Sequence, residues 1–151
     1  MSLKPLLRPK SIAVVGASQT PGKLGHVILE NLRHFKGKVY PVNPKHYSVL
    51  GIKSYPSVAA INKSIDIAII AVPAPLVPKV LKSAKNAKSV VLISSGFSEV
   101  GNEELATEVL NLIRKNKQRL LGPNCLGIQV PHLYLNATFA PKLSKPGGIA
   151  F

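Results

Sequence analysis

Short runs of β-branched residues alternate along the chain with longer stretches whose apolar positions recur at helical spacing. Residues 11–15, SIAVV, read as a first strand stopped by Gly16. Residues 24–35 place Leu24, Val27, Ile28, Leu32 and Phe35 on one helical face. A second strand covers 38–42, where Pro41 requires a strand end or a sheet edge. Residues 65–72 are apolar on both alternations after Asp66, as suits a parallel strand buried on both faces. A second helix is predicted over 76–87, with Pro78 tolerated in its first turn. Residues 89–93 form a fourth strand. A third helix over 103–116 is acidic at its start and basic at its end, as the helix dipole favours. Residues 119–121 complete a fifth strand. The 49–62 segment reads as a connector with a short helix at 57–61, and 129–143 as a loop.

Strand–helix–strand alternation with short links implies right-handed crossovers and a mostly parallel sheet with helices on both faces. The predicted fold class is therefore α/β, a doubly wound, Rossmann-like sheet. Ligands of such sheets bind beyond the carboxyl ends of the strands. The domain is expected to run over 1–144. Residues 145–148, Lys-Pro-Gly-Gly, then read as a linker, and 149–151 as the opening strand of a following domain.

Composition narrows the function classes. The chain has 151 residues, one cysteine and 46% hydrophobic residues, which suits one compact domain and excludes a disulfide framework. No apolar run approaches the roughly 18 residues of a membrane span, so no membrane partner is expected. Pro5 and Pro9 interrupt the start, which does not read as a secretory signal; a cytoplasmic protein is the expectation. Twenty Lys+Arg face six Asp+Glu, a net charge of +14, and four of the six acids lie within 99–108. An anionic partner and a merely solvated lysine surface both fit that balance. Nucleic acid is not expected: no helix-turn-helix or aromatic–basic interleaving occurs, with four Tyr, four Phe and no Trp.

The loops after the strands hold the candidate chemistry. Residues 16–25, GASQTPGKLG, follow a strand and precede a helix, the setting of a phosphate cradle. The strict dinucleotide fingerprint fails at Ser18 and Pro21, and the Walker A pattern fails at Leu24. What remains is a longer glycine loop whose amides, with Ser18, Thr20 and Lys23, suit a diphosphate; a plain strand-to-helix turn is the other reading. After the second strand stand Asn43, Pro44, Lys45 and His46, with no carboxylate for ribose hydroxyls. A cation there suits a ribose carrying a phosphate, as in NADP or coenzyme A. The 72–75 stretch, VPAP, is stiff and poor in donors, suiting a groove wall or a helix start. Ser94, Ser95 and Gly96 offer hydroxyl and N–H donors, or capping. Cys125 has no evident basic partner and reads as packed rather than nucleophilic. No His spacing suggests a zinc site.

In this order, the loops resemble the CoA-binding domain of the nucleoside-diphosphate-forming acyl-CoA synthetases, the family of ADP-forming acetate–CoA ligases and the succinyl-CoA synthetase α subunit. The matching stretches are IAVVGAS (12–18), PGKLG (21–25), VYPVNP (39–44), AVP (71–73), SSGFSE (94–99), GPNCLG (122–127) and LNATF (135–139). The resemblance implies coenzyme A as the cofactor, chosen over NADP. It implies that Gly16, Ala17, Ser18, Pro21, Gly22 and Lys23 surround the phosphates. Val42, Asn43, Pro44 and Lys45 would hold the adenosine 3′-phosphate end. Val72 and Pro73 would line the pantetheine groove, Ser94, Ser95 and Gly96 would approach its far end, and Asn124 with Cys125 would flank the thiol. It implies no catalytic residue in this chain, because the family's phosphohistidine and nucleotide-grasp domains match nothing within it. Other domains or subunits of a synthetase are the implied partners. A free-standing CoA-binding regulator is the alternative, and an NADP sensor a weaker one.

Overall fold

The computed structural model describes residues 2–148. A short helix α1 (Lys4–Leu7) precedes β1 (Ser11–Val15), α2 (Leu24–Asn31) and β2 (Lys38–Val42). A small hairpin follows, β3 (Ser48–Val49) with β4 (Ile52–Lys53). Then come β5 (Ile65–Ile70), α3 (Val77–Ser83), β6 (Ala87–Leu92), α4 (Glu103–Lys115) and β7 (Arg119–Leu121). A second hairpin, β8 (Gly127–Val130) with β9 (Leu135–Thr138), closes the described chain.

The main sheet is five-stranded and parallel, in the order β2-β1-β5-β6-β7. Its pleat sends alternate side chains to opposite faces, each with its own buried packing. Ile12, Val14, Ile67, Ile69 and Val91 face Ile28, Leu29 and Leu32, with Leu135 and Ala137 of β9. On the other face, Ile70, Val90 and Leu92 meet Val77 and Leu81 of α3 and Val109 and Ile113 of α4. This is the doubly wound Rossmann-like architecture. Pro41 sits in β2, an edge strand of this sheet, where a missing N–H costs no central ladder bond.

Several element limits differ from the expectation. The helix of 24–35 stops at Asn31 and tightens into a 3-10 turn over Leu32–His34. That of 76–87 becomes a 3-10 turn over Ala74–Leu76 followed by α3, and Ala87 already belongs to β6. The cause is tertiary. Buried Gln118 donates from Nε2 to the Ala84 and Ala87 carbonyls at 2.7 and 2.8 Å, and Asn116 Nδ2 donates to Leu81 O at 3.0 Å. These bonds replace helical ones and end α3. The third strand ends at Ile70, short of Val72, and the helical turn of 57–61 is a 3-10 turn over Ala59–Ile61.

Two connectors carry strands instead. The 49–62 segment contains β4 and shares β3. The 129–143 loop contains most of the β8–β9 hairpin, whose polar residues are buried in a mutual network. Thr138 Oγ1 donates to Asn136 Oδ1 at 2.6 Å, and Gln129 Nε2 to the same oxygen at 3.1 Å. Asn31 of α2 donates to the Thr138 and Ala140 carbonyls, both at 2.9 Å, and so clamps the hairpin to that helix. Residues 145–148 are exposed and form no helix or strand, and the expected strand at 149–151 lies outside the described residues. Among the described residues, no helix is long and apolar enough to cross a membrane.

One carboxylate ties the starts of the strands together. Asp66 Oδ2 accepts the Lys10 N–H at 2.8 Å, and Oδ1 accepts Lys88 Nζ at 2.8 Å. Burial alone would raise this carboxyl; the Lys88 bond and charge, with the Lys10 and Ser11 bonds, outweigh it and hold it below the ordinary 3.8. A depressed folded value gives stability that is present above the ordinary value and lost as pH falls through the folded one. In acid titrations followed by circular dichroism, Asp66→Asn is expected to be about 1–2 kcal/mol less stable than wild type at pH 7. The gap should close as pH falls below the ordinary 3.8 and through the lower folded value. A gap that stays constant on acidification contradicts this role.

Candidate functional site

The chain leaves β1 toward β2 on one side, then returns to place β5 on the other. The C-terminal ends of β1 and β5 therefore flank a topological switch point, where open α/β sheets form their binding crevice. Gly16 stands there at φ +90°. A Cβ on Gly16 would overlap the Ala71 carbonyl oxygen and come within 3.2 Å of Val72 Cγ1. The crevice thus requires glycine at the first step of the 16–23 loop. Gly25 serves the same end: its Cβ would overlap the Gly16 carbonyl, so α2 starts in direct contact with the loop.

Internal bonds shape this loop and leave donors over. Gly16 N–H is given to Val42 O at 3.1 Å, Thr20 N–H to Ser18 Oγ at 3.0 Å, and Lys23 N–H to Thr20 O at 3.3 Å. Among the described residues, the amides of Ser18, Gln19 and Gly22 have no internal partner. Lys23 is exposed at the N-cap of α2, and Pro21 and Gly22 are exposed at the tip. Unpartnered amides beside a cation and a helix start fit phosphate oxygens.

Asn43 joins two of the loops. Its Nδ2 donates to Ala17 O at 2.7 Å, and its Oδ1 accepts the Lys45 N–H at 2.8 Å. Both ends of the amide are bonded, so Asn43 positions the two loops against each other, with Pro44 and Lys45 exposed beside it. Ser94 is likewise committed: its buried hydroxyl donates to Val72 O, joining the ends of β5 and β6. Asn124 N–H donates to Ser94 O at 3.0 Å and brings the last loop to the same edge. Ser95 and Pro73 are exposed there; Val72 and Gly96 are half-buried. The predicted residues from all five loops thus lie along one edge of the sheet.

Three further participants are assigned no role from the sequence. Gln19 donates from Nε2 to Ser48 O at 3.0 Å and accepts the Leu50 N–H on Oε1 at 3.2 Å, fastening the β3–β4 hairpin to the glycine loop. His26 is buried, and its Nδ1 lies 3.2 Å from Ser18 O, supporting the loop from beneath. Glu99 accepts the Gly96 N–H at 2.6 Å and the Phe97 N–H at 3.2 Å. The Gly96 bond, first among its causes, holds the Glu99 carboxyl below its ordinary range.

Cys125 is half-buried, with its thiol 3.5 Å from Leu92 O. Burial pushes its thiol pKa up, which leaves it protonated and weakly nucleophilic at neutral pH. Iodoacetamide is expected to label Cys125 several-fold more slowly at pH 8 in the folded chain than in urea. Equal rates would contradict a packed thiol. Among the described residues, no three His, Cys, Asp or Glu side chains gather as a metal site.

A parallel sheet with a glycine loop at its switch point, free amides, and cations in place of a ribose-binding carboxylate defines a binding domain for a phosphorylated nucleotide. Comparison with known proteins narrows the class. Residues 10–131 match the sequence profile described as CoA binding domain, and the chain belongs to that family. It is 47% identical over 150 residues to an ADP-forming acetate–CoA ligase of Methanocaldococcus jannaschii, covering 98% of this chain and 21% of the relative. It is 44% identical over 160 residues to the α subunit of ADP-forming acetate–CoA ligase I of Pyrococcus furiosus, covering 99% of this chain and 35% of that subunit. The structure of acetyl-coenzyme A synthetase 1 of Ca. Korarchaeum cryptofilum, in complex with phosphate and ADP, superposes with a TM-score of 0.88 at 45% identity. It covers 93% of this chain and 31% of that one. The chain therefore spans between a fifth and about a third of the length of these relatives.

Proposed function

We propose that this chain binds coenzyme A along the C-terminal edge of its sheet and presents the thiol to an acyl phosphate held by other domains or subunits of an ADP-forming acyl-CoA synthetase. Coenzyme A is then a substrate, consumed as its thioester, rather than a resident cofactor. The observation that carries the reading is the 16–23 loop, with unpartnered Ser18, Gln19 and Gly22 amides at the switch point, beside a β2 end that offers Lys45 and no carboxylate. Family membership and the 44–47% identity to acetate–CoA ligases support it.

The donor set fits the ligand's parts in order along the edge. The amides of 16–23 and Lys23 would meet the diphosphate, and the Lys45 ammonium the 3′-phosphate. Asn43 holds both loops at fixed spacing. Val72 and Pro73 supply an apolar wall with few competing donors, as the pantetheine arm requires. Ser95 and Gly96, braced by Glu99, and Asn124 would surround the thiol end. In thioester formation the sulfur attacks the acyl carbon, the bond from that carbon to the phosphate oxygen breaks, and inorganic phosphate leaves. The thiol proton passes to solvent or to a partner group. Cys125, kept protonated, does not compete for the acyl group.

Thermal shift with coenzyme A, dephospho-CoA, NADP and ATP tests the reading. Coenzyme A at a hundred times its Kd should stabilise by about 2.7 kcal/mol. For a domain of this size that is a rise of roughly 5–10 °C. A larger shift with NADP would overturn it. The 151-residue chain is expected to take up no phosphoryl group from labelled ATP, and incorporation would contradict the assignment of that step to other domains.

A further inference from the structure

The cations used so far lie at the C-terminal edge of the sheet, yet the opposite edge is also basic. Lys10, Lys38, Lys63, Lys85 and Lys88 stand at or just before the starts of β1, β2, β5 and β6. Asp66, the carboxylate built into that end of β5, is already held by Lys88 and the Lys10 amide. Between the segments 59–64 and 82–86 lies a hollow of about 460 Å³. Lys63, Lys82 and Lys85 line it with Asn62, Ser64 and Asn86, and no carboxylate or aromatic side chain does. Lys82 pairs with Glu108 at 3.1 Å; among the described residues, Lys63 and Lys85 form no ion pair. Asn86, held through Nδ2 by the Val58 and Lys63 carbonyls, keeps a buried Oδ1 without a hydrogen-bond partner.

We infer that this hollow is the docking site for an acidic polypeptide segment carried by another domain or subunit. Lysines that share one hollow repel one another, Lys63 and Lys85 have no ion-pair partner among the described residues, and a partner bearing carboxylates relieves that repulsion. Among the described residues, Glu108 is the one acid paired with a lysine of the lining, Lys82. The lining also favours polypeptide over the other polyanions. With no aromatic side chain, bases have nothing to stack on. With no arginine, phosphates lose the bidentate fork they bind best. β5 runs six residues, about 20 Å, between this hollow and the crevice at its other end. The inference is therefore independent of where coenzyme A binds.

Fluorescence anisotropy with a fluorescein-labelled glutamate-rich octapeptide, at physiological salt and with coenzyme A saturating, tests it. The peptide should bind the wild-type chain. Lys63→Glu with Lys85→Glu should weaken it by about tenfold or more. Lys4→Glu with Lys142→Glu, the same change in net charge elsewhere, should weaken it less than about twofold. Lys63→Gln with Lys85→Gln should weaken it in the same direction as the reversal and leave melting and coenzyme A affinity unchanged. The inference is overturned by no binding to wild type, by equal weakening in the two charge reversals, or by displacement of the peptide by coenzyme A. Tripolyphosphate or a single-stranded oligonucleotide binding more tightly than the peptide, with the same dependence on Lys63 and Lys85, would also overturn it.

Discussion

Gly16→Ala is expected to lower the melting temperature by roughly 6–12 °C, while Gly22→Ala in the same loop lowers it by only a few degrees. Both glycines have positive φ, +90° and +79°. Both variants therefore meet the backbone penalty of about 1–2 kcal/mol that an L-residue carries in that region. The difference is space. Nothing lies within 4 Å of a Cβ at Gly22, whereas a Cβ at Gly16 would stand well inside contact distance of the Ala71 carbonyl oxygen. That oxygen belongs to backbone just past β5, and the Ala71 N–H is bonded to Val15 O at 3.0 Å, so neither side can yield cheaply. The added cost brings the total to about 3 kcal/mol or more. The same displacement spreads the crevice, so coenzyme A affinity in Gly16→Ala should fall far more than in Gly22→Ala. Differential scanning fluorimetry with and without coenzyme A reads both effects. Equal melting temperatures for the two variants would show that the crevice is not closed as described.

Lys45→Ala should cost about tenfold in affinity for coenzyme A and almost nothing for dephospho-CoA. A charge-assisted hydrogen bond contributes about 1.5–3 kcal/mol in favourable settings. Lys45 is exposed, and solvent and salt screening bring the expected loss to the lower end. The paired ligands differ only in the phosphate at issue, so the variant's fold and its diphosphate contacts cancel from the comparison. Isothermal calorimetry on wild type and variant closes the cycle. A variant that binds both ligands as tightly as wild type removes Lys45 from the 3′-phosphate. Equal losses for both would move it to the diphosphate or to the loop's architecture. The Asn43 bond to the Lys45 amide survives the substitution, because the backbone N–H donates it.

What was legible along the chain follows from periodicity. Strands such as Ile65–Ile70, apolar on both faces, state their own burial, and the alternation of strands with helices states the parallel order. The positions of the loops followed, since connections at one end of a parallel sheet fall on one edge. Legibility failed wherever polar side chains satisfied one another in the interior. The Leu135–Thr138 strand looked like loop because Asn136 and Thr138 are polar, yet they bond each other and are buried. Helix α3 looked longer because nothing local reveals that Gln118, more than thirty residues on, binds the Ala84 and Ala87 carbonyls just beyond its end.

The same division holds for the site. Residue types alone pointed to a phosphorylated ligand at the loops and left a plain strand-to-helix turn open, because glycine, lysine and a missing carboxylate are read without knowing their partners. Only the tertiary structure decided which side chains remain free to act. Asn43 and Ser94 are spent on bridging loops, Gln19 and His26 are recruited to hold the glycine loop, and Cys125 is protonated by burial. A sequence carries donors and acceptors; whether each is left over for a ligand depends on partners that only folding brings within 3 Å.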